Sequence, residues 1–155
     1  MKEDNQLHIL KKIETDKEQQ AITAMQSAQS YLQANQAKLK EVQSYKLDYL
    51  KKMQSRGVSG IGGASYQHYQ RFIVQLDQGI AAQMNVVDIA KQVLEQRKQE
   101  WFVQKNKVKA VDTLLTQKAK ARQQRIDKYE QNQSDEFASQ QYIRRQMANK
   151  MAINS

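Results

Sequence analysis

Histidine is the side chain that most readily moves protons or holds a metal near neutral pH, and this 155-residue chain has two, His8 and His68. They stand 60 residues apart, and neither has further ligands at metal-binding spacing. There is no cysteine, so neither a thiolate site nor a disulfide framework can form. The 16 carboxylates are scattered and mostly neighbour Lys or Arg. That is the pattern of intrahelical ion pairs, each contributing a few tenths of a kcal/mol, and not of an acid–base pair. The stretch "GVSGIGG", residues 57–63, has the glycines of a phosphate cradle. No strand pattern precedes it, however, and no Lys-Ser/Thr closes it. No catalytic residue, metal, cofactor or enzymatic activity is expected.

Two other groupings bear on binding. One is a stripe of apolar and aromatic residues on either side of the glycines: Val42, Tyr45 and Tyr49 before them, Phe72, Leu76, Gly79 and Gln83 after. Exposed aromatic strips are interface candidates; the same side chains can also simply thicken local packing. The other is the basic run Arg97, Lys98, Lys105, Lys107, Lys109, Lys118, Lys120, Arg122, Arg125, Lys128. It is either a solvated face or a docking surface for something acidic.

The elements that position these groups follow from composition and period. The chain is 39% hydrophobic and 7% aromatic, has a mean hydropathy of −0.86, contains 26 glutamines and lacks proline. Gln, Lys, Glu and Ala form helices well but bury little, so the choice lies between disorder and long helices with a narrow apolar stripe. The spacing selects helices. Ala28, Leu32, Asn35, Leu39, Val42, Lys46, Tyr49 and Met53 recur in steps of three and four. Leu7, Leu10, Ile13, Ile22 and Met25 extend an apolar stripe upstream in irregular phase. Beyond the glycines, Ile73, Leu76, Ile80, Gln83, Val87, Ala90, Leu94, Arg97, Trp101, Gln104, Val108, Val111 and Leu115 keep the same alternation. A heptad seam this long marks coiled-coil packing. Its polar members, Asn35, Gln83, Arg97 and Gln104, cost stability and fix register.

Four of the five glycines, Gly57, Gly60, Gly62 and Gly63, lie between these segments. They permit the positive φ values that end one helix and reverse the chain, and Ser65 is placed to cap the next helix. The expected fold is all-α, a long antiparallel coiled-coil hairpin: one helix from about residue 3 to 55, a turn at 57–64, a second helix from about 65 to 148, and a flexible tail at 149–155. At about 1.5 Å per residue the arms are roughly 80 and 120 Å long. The second arm therefore overhangs. A bend near residue 60 pairs Met53 with His68, Tyr49 with Phe72, Leu39 with Ala82, Leu32 with Ile89 and Leu7 with Leu114. Gly79, inside a helical run, costs about 1 kcal/mol relative to Ala and suggests close approach by a partner.

Net charge is +9 and concentrated: residues 91–130 hold 11 basic and 5 acidic groups, residues 57–90 one and two. A basic helix can lie along phosphates by counterion release, but the aromatics gather near the turn and the charge lies elsewhere, and no nucleic-acid-binding module is present. No nucleic-acid partner is expected. No run of about 18 apolar residues exists to span a membrane, and "MKEDNQLHILKK" lacks a signal-peptide core. A cytoplasmic protein is expected.

An ordered set of segments resembles one family. "LDYL" with tyrosines ahead of a Gly-rich turn, "YQHYQRFIVQLDQGI" after it, "QEWFVQKNKVKAVDTL" with Trp101 on the seam, and "SDEFA" further on resemble the FliJ family, coiled-coil components of the bacterial flagellar type III export apparatus. The YscO-type stalk proteins of non-flagellar secretion share the architecture. The resemblance implies a stalk similar to the shaft of rotary ATP synthases. Its open end would enter the hexameric export ATPase FliI and promote its assembly. Its tip would contact the linker of the export-gate protein FlhA, and it would escort export chaperones. Carried over by position, Val42, Tyr45, Tyr49, Phe72, Leu76, Gly79 and Gln83 become gate-contact residues. Lys11, Lys12, Arg122 and Arg125 become the ATPase contact. The implied protein is a monomer in isolation, associated peripherally with the inner membrane through the apparatus and serving motility. A coiled coil that dimerises through its apolar stripes, and a nucleic-acid binder, are the competing classes.

Overall fold

The structure is a computed structural model and describes residues 2–58, 60 and 62–154. Two helices account for nearly all of it: α1, Lys2–Val58, and α2, Gly63–Asn154. They pack against each other as an antiparallel helical hairpin, and no strand occurs among the described residues. Neither helix contains proline, and the only interior glycine well away from the turn is Gly79, so nothing in the sequence breaks them. Glu3 and Asp4 in the first turn of α1 and Arg56 in its last turn complement the helix dipole.

The reversal is tighter than the spacing implied. Gly57 belongs to α1 and Gly63 opens α2. Among the described residues only Gly60 takes a positive φ, 84°, a region costly for any residue with a Cβ. Its N–H donates to the Gly57 carbonyl at 3.4 Å, and the Tyr66 N–H donates to the Gly62 carbonyl at 3.1 Å. Ser65 therefore lies inside the first turn of α2 and is not its cap. Ser59 and Ile61, within the expected turn, fall outside the described residues, as does Ser155 of the expected tail. The helical conformation extends to Asn154, because Met, Ala, Lys and Asn there include no breaker.

The chain divides into two compact units, Lys12–Val108 and Met1–Lys11 with Lys109–Ser155. In the first, the seam runs unbroken through Glu14, Glu18, Ala21, Met25, Ala28, Leu32, Asn35, Leu39, Val42, Lys46, Tyr49 and Met53, all buried or half-buried. Its α2 counterpart is the first eleven residues of the expected series, Ile73 to Val108. Leu32, Val87, Ala90 and Leu94 are the buried centre, with Met25, Ala28 and Leu39 packed against them. This corrects two expectations. Leu32 clusters with Val87 and Ala90, while Ile89 is exposed; Ile13 is also exposed, and Glu14 takes the seam position beside it. Heptad geometry holds phase more strongly than hydrophobicity fills it.

Polar seam residues find partners. The Gln83 side-chain amide donates to the backbone carbonyl and the side-chain oxygen of Asn35, each at 3.0 Å. The Gln104 amide donates to the Glu14 carbonyl at 2.9 Å and to its carboxylate. Arg97 pairs with Glu100 at 3.1 Å. Such layers spare a buried amide the cost of lying unsatisfied and penalise slipped registers.

In the second unit, Asp4, Leu7 and Lys11 of α1 and Val111, Leu115, Lys118 and Arg122 of α2 are the residues removed from solvent. Leu10 and Leu114 are exposed there, while Leu7 is half-buried. From Gln123 onward every described residue is exposed.

Candidate partner-binding sites

The first site lies beside the turn, in unit Lys12–Val108. Residues 45 and 49 stand one helical turn apart on α1, and 66, 69 and 72 follow at three-residue steps on α2, so each set lines one face. The antiparallel reversal brings the sets together. Tyr49 packs on Phe72 with ring centroids 4.6 Å apart and stacks on Tyr69 at 5.5 Å; Tyr45 meets the edge of Phe72 at 6.3 Å, and Tyr66 lies 6.3 Å from Tyr69. Offset and edge contacts of this kind contribute about 0.5–1.5 kcal/mol per pair beyond area burial.

The cluster is only partly covered. Tyr45 is 54% and Tyr66 55% exposed, which leaves aromatic surface facing water. Val42, Tyr49, Phe72 and Leu76 are half-buried seam or seam-edge residues. Gly79 is exposed, and nothing lies within 4 Å of where its Cβ would stand, so no part of this chain requires glycine there. Gln83 is committed to Asn35. Tyr66 and Tyr69 were not singled out from sequence, although the series Tyr66, Tyr69, Phe72 was a visible signal. On the adjoining flank, Lys46 is ion-paired with Asp77. A shallow groove lined by Leu50, Met53, Tyr66 and Tyr69 adjoins the cluster. Its chemistry is adhesive: apolar faces with phenol hydroxyls at their rim.

The second site lies in the unit formed by residues 1–11 and 109–155. Arg122 is ion-paired with Asp4 at 2.5 Å, Lys118 with Glu3 at 3.2 Å and Lys11 with Asp112 at 2.7 Å. These pairs tie the start of α1 to α2, so Lys11 and Arg122 are partly neutralised by their own chain. Arg125 lines the same groove as Lys2, Glu3, Asp4, Lys118 and Arg122. It is exposed and has no ion-pair partner among the described residues. Lys12 is exposed and belongs to the other unit. Sequence reasoning found these cations but not the acidic residues that hold two of them.

Among the described residues no group of three or more His, Cys, Asp or Glu converges to hold a metal ion, and no helix is long and apolar enough to cross a membrane. Trp101 is half-buried on the seam, with the Lys105 ammonium 5.0 Å from its ring centroid and its indole N–H buried without a hydrogen-bond partner.

Comparison with known proteins fits this picture. No curated protein and no solved structure matches the chain. The family model described as "Flagellar FliJ protein" matches residues 2–147. Two breaker-free helices, a continuous heptad seam and a family match over nearly the whole chain lead to one assignment: the protein belongs to the FliJ family of flagellar proteins.

Proposed function

We propose that this chain is a non-enzymatic stalk of the flagellar type III export apparatus, linking the export ATPase hexamer FliI to the linker of the gate protein FlhA. In this reading it also promotes assembly of the ATPase and escorts export chaperones, working in the cytoplasm at the inner membrane as a monomer. The observation that carries the reading is the partly exposed cluster of Tyr45, Tyr49 and Phe72 beside the Gly60 reversal. Rigid aromatic anchors of this kind dominate protein interfaces. Arg125, an exposed guanidinium in a groove of mixed charge, is the stronger of the ATPase-contact candidates. Arg122 shares that groove but is already held by Asp4.

The test is a pull-down with the cognate ATPase and the cognate gate linker, with helicity followed by circular dichroism. Tyr45→Ala/Phe72→Ala is expected to lose the gate linker and keep the ATPase. Arg125→Glu is expected to weaken the ATPase and keep the gate. Arg122→Glu, by setting a carboxylate against Asp4, is expected to loosen the helix start as well. Absence of both interactions in the wild type would sink the proposal.

A further inference from the structure

Past Glu136 the character of α2 changes. From Phe137 to Asn154 it carries Arg144, Arg145 and Lys150 and no acidic side chain, whereas Asp127, Glu130, Asp135 and Glu136 crowd the stretch just before. The segment stays helical to Asn154 and all of its residues are exposed, so no other described part of its unit covers it. At about 100° per residue, Ile143, Met147 and Met151 form one ridge, 53%, 63% and 76% exposed. Arg144 lies about 60° to one side of the ridge centre and Lys150 about 60° to the other. Gln140 prolongs the ridge and Glu136 ends it. Tyr142, Arg145 and Ile153 fall on the far side of the helix. An apolar ridge between two cations, with no carboxylate beside it, is the pattern of a helix that rests on an anionic surface.

We propose that this segment lies along the surface of an anionic lipid bilayer. The ridge sinks to the boundary between headgroups and acyl chains, while the stems of Arg144 and Lys150 carry their charges outward to the phosphates. The helix rests on the membrane and does not cross it, since no described helix is long and apolar enough. The net charge of +9 adds long-range attraction to the same surface. A nucleic-acid backbone would satisfy the cations but leave the ridge in water, and the ridge has no aromatic ring to stack on a base. Two of its three residues are methionines, whose rotamer freedom is lost in a fixed protein pocket and kept among fluid acyl chains. A second copy aligned in parallel sets cation against cation; an antiparallel copy has Asp135 and Glu136 to offer, so the experiment includes it. The contact goes beyond the stalk reading, in which the membrane is reached only through other proteins.

The experiment floats the full chain with vesicles of mixed phosphatidylcholine and phosphatidylglycerol, and with vesicles of phosphatidylcholine alone. Helicity is followed by circular dichroism, and the protein alone is sedimented in parallel. Binding to the anionic vesicles is expected to be at least about tenfold tighter than to the neutral ones. Arg144→Glu/Lys150→Glu should lower it at least about tenfold, and Met147→Gln/Met151→Gln should weaken it with the charge unchanged. Lys51→Glu/Lys52→Glu, the same charge change on exposed residues of α1, should leave most of it. The proposal is overturned if the wild type binds neither vesicle or both equally. It is equally overturned if the Lys51/Lys52 variant loses as much as the Arg144/Lys150 variant, or if the methionine variant binds like the wild type, since net charge alone then explains the adsorption. A DNA duplex bound as tightly as the anionic vesicles would make the partner a nucleic acid. A dimer that Arg144→Glu/Lys150→Glu dissociates would make it a second copy. Because no export component is used, failure here leaves the stalk reading standing, and the converse holds.

Discussion

At the scale of single residues, exposure separates what a side chain does for the fold from what it offers a partner. Phe72 is half-buried between Tyr45 and Tyr49, whereas Tyr45 touches one ring and is 54% exposed. Phe72→Ala is therefore expected to destabilise the hairpin by about 1–3 kcal/mol, and Tyr45→Ala by under about 1 kcal/mol. Urea unfolding of the two variants checks this; equal losses would mean that Tyr45 is as much a packing residue as Phe72. The distinction makes Tyr45→Ala the cleaner probe of the proposed gate contact. Arg122 and Arg125, three residues apart, differ in the same way, one occupied by Asp4 and the other open.

At the scale of the helices, glycines in different backbone conformations predict opposite responses. Gly60 has φ 84°, so Gly60→Ala is expected to cost about 1 kcal/mol through strain at the reversal. Gly79 is helical, with open space around its Cβ position. Gly79→Ala is expected to raise stability by up to about 1 kcal/mol and so to raise the thermal midpoint. A fall at residue 79 would mean that this space is not open. The helices, their seam and the region of the turn were legible in sequence, because heptad spacing is a local, periodic signal. Two things were not. Which apolar residues would leave the seam was hidden, since Ile13 and Leu10 look like core while Glu14 and Lys11 hold the positions beside them. Cross-helix partners were hidden too: a single bend point pairs Leu32 with Ile89, but interlocking layers set it among Val87 and Ala90. The binding stripe was partly legible. Its members Tyr45, Tyr49 and Phe72 follow from spacing, while the contribution of Tyr66 and Tyr69 depends on how tightly α2 leaves the turn.

At the scale of the molecule, stability is unevenly distributed. Of the five buried hydrophobic residues among those described, Leu32, Val87, Ala90 and Leu94 lie in one unit; the other has Val111. The latter relies on exposed ion pairs, each contributing about 1 kcal/mol or less and weakened by salt. Hydrogen exchange should show amides of residues 2–11 and 109–154 exchanging well before those around Leu32 and Ala90, with the gap widening as salt is added. Uniform protection along both helices would refute this. In the function proposed above, this easily opened unit is the one that would be offered to the ATPase.

Trp101 gives the molecule an optical gauge of its own state. It is the sole tryptophan, its indole N–H is sheltered and unpaired, and an ammonium stands over its ring. Any event that splays the helices at that level admits water to the N–H, while Lys105, one turn further along the same helix, stays beside the ring. Emission should then move to the red and its quenching by iodide should rise. Torsion or capture of the stalk can thus be watched in the unmodified protein, without a dye, a tag or an introduced thiol.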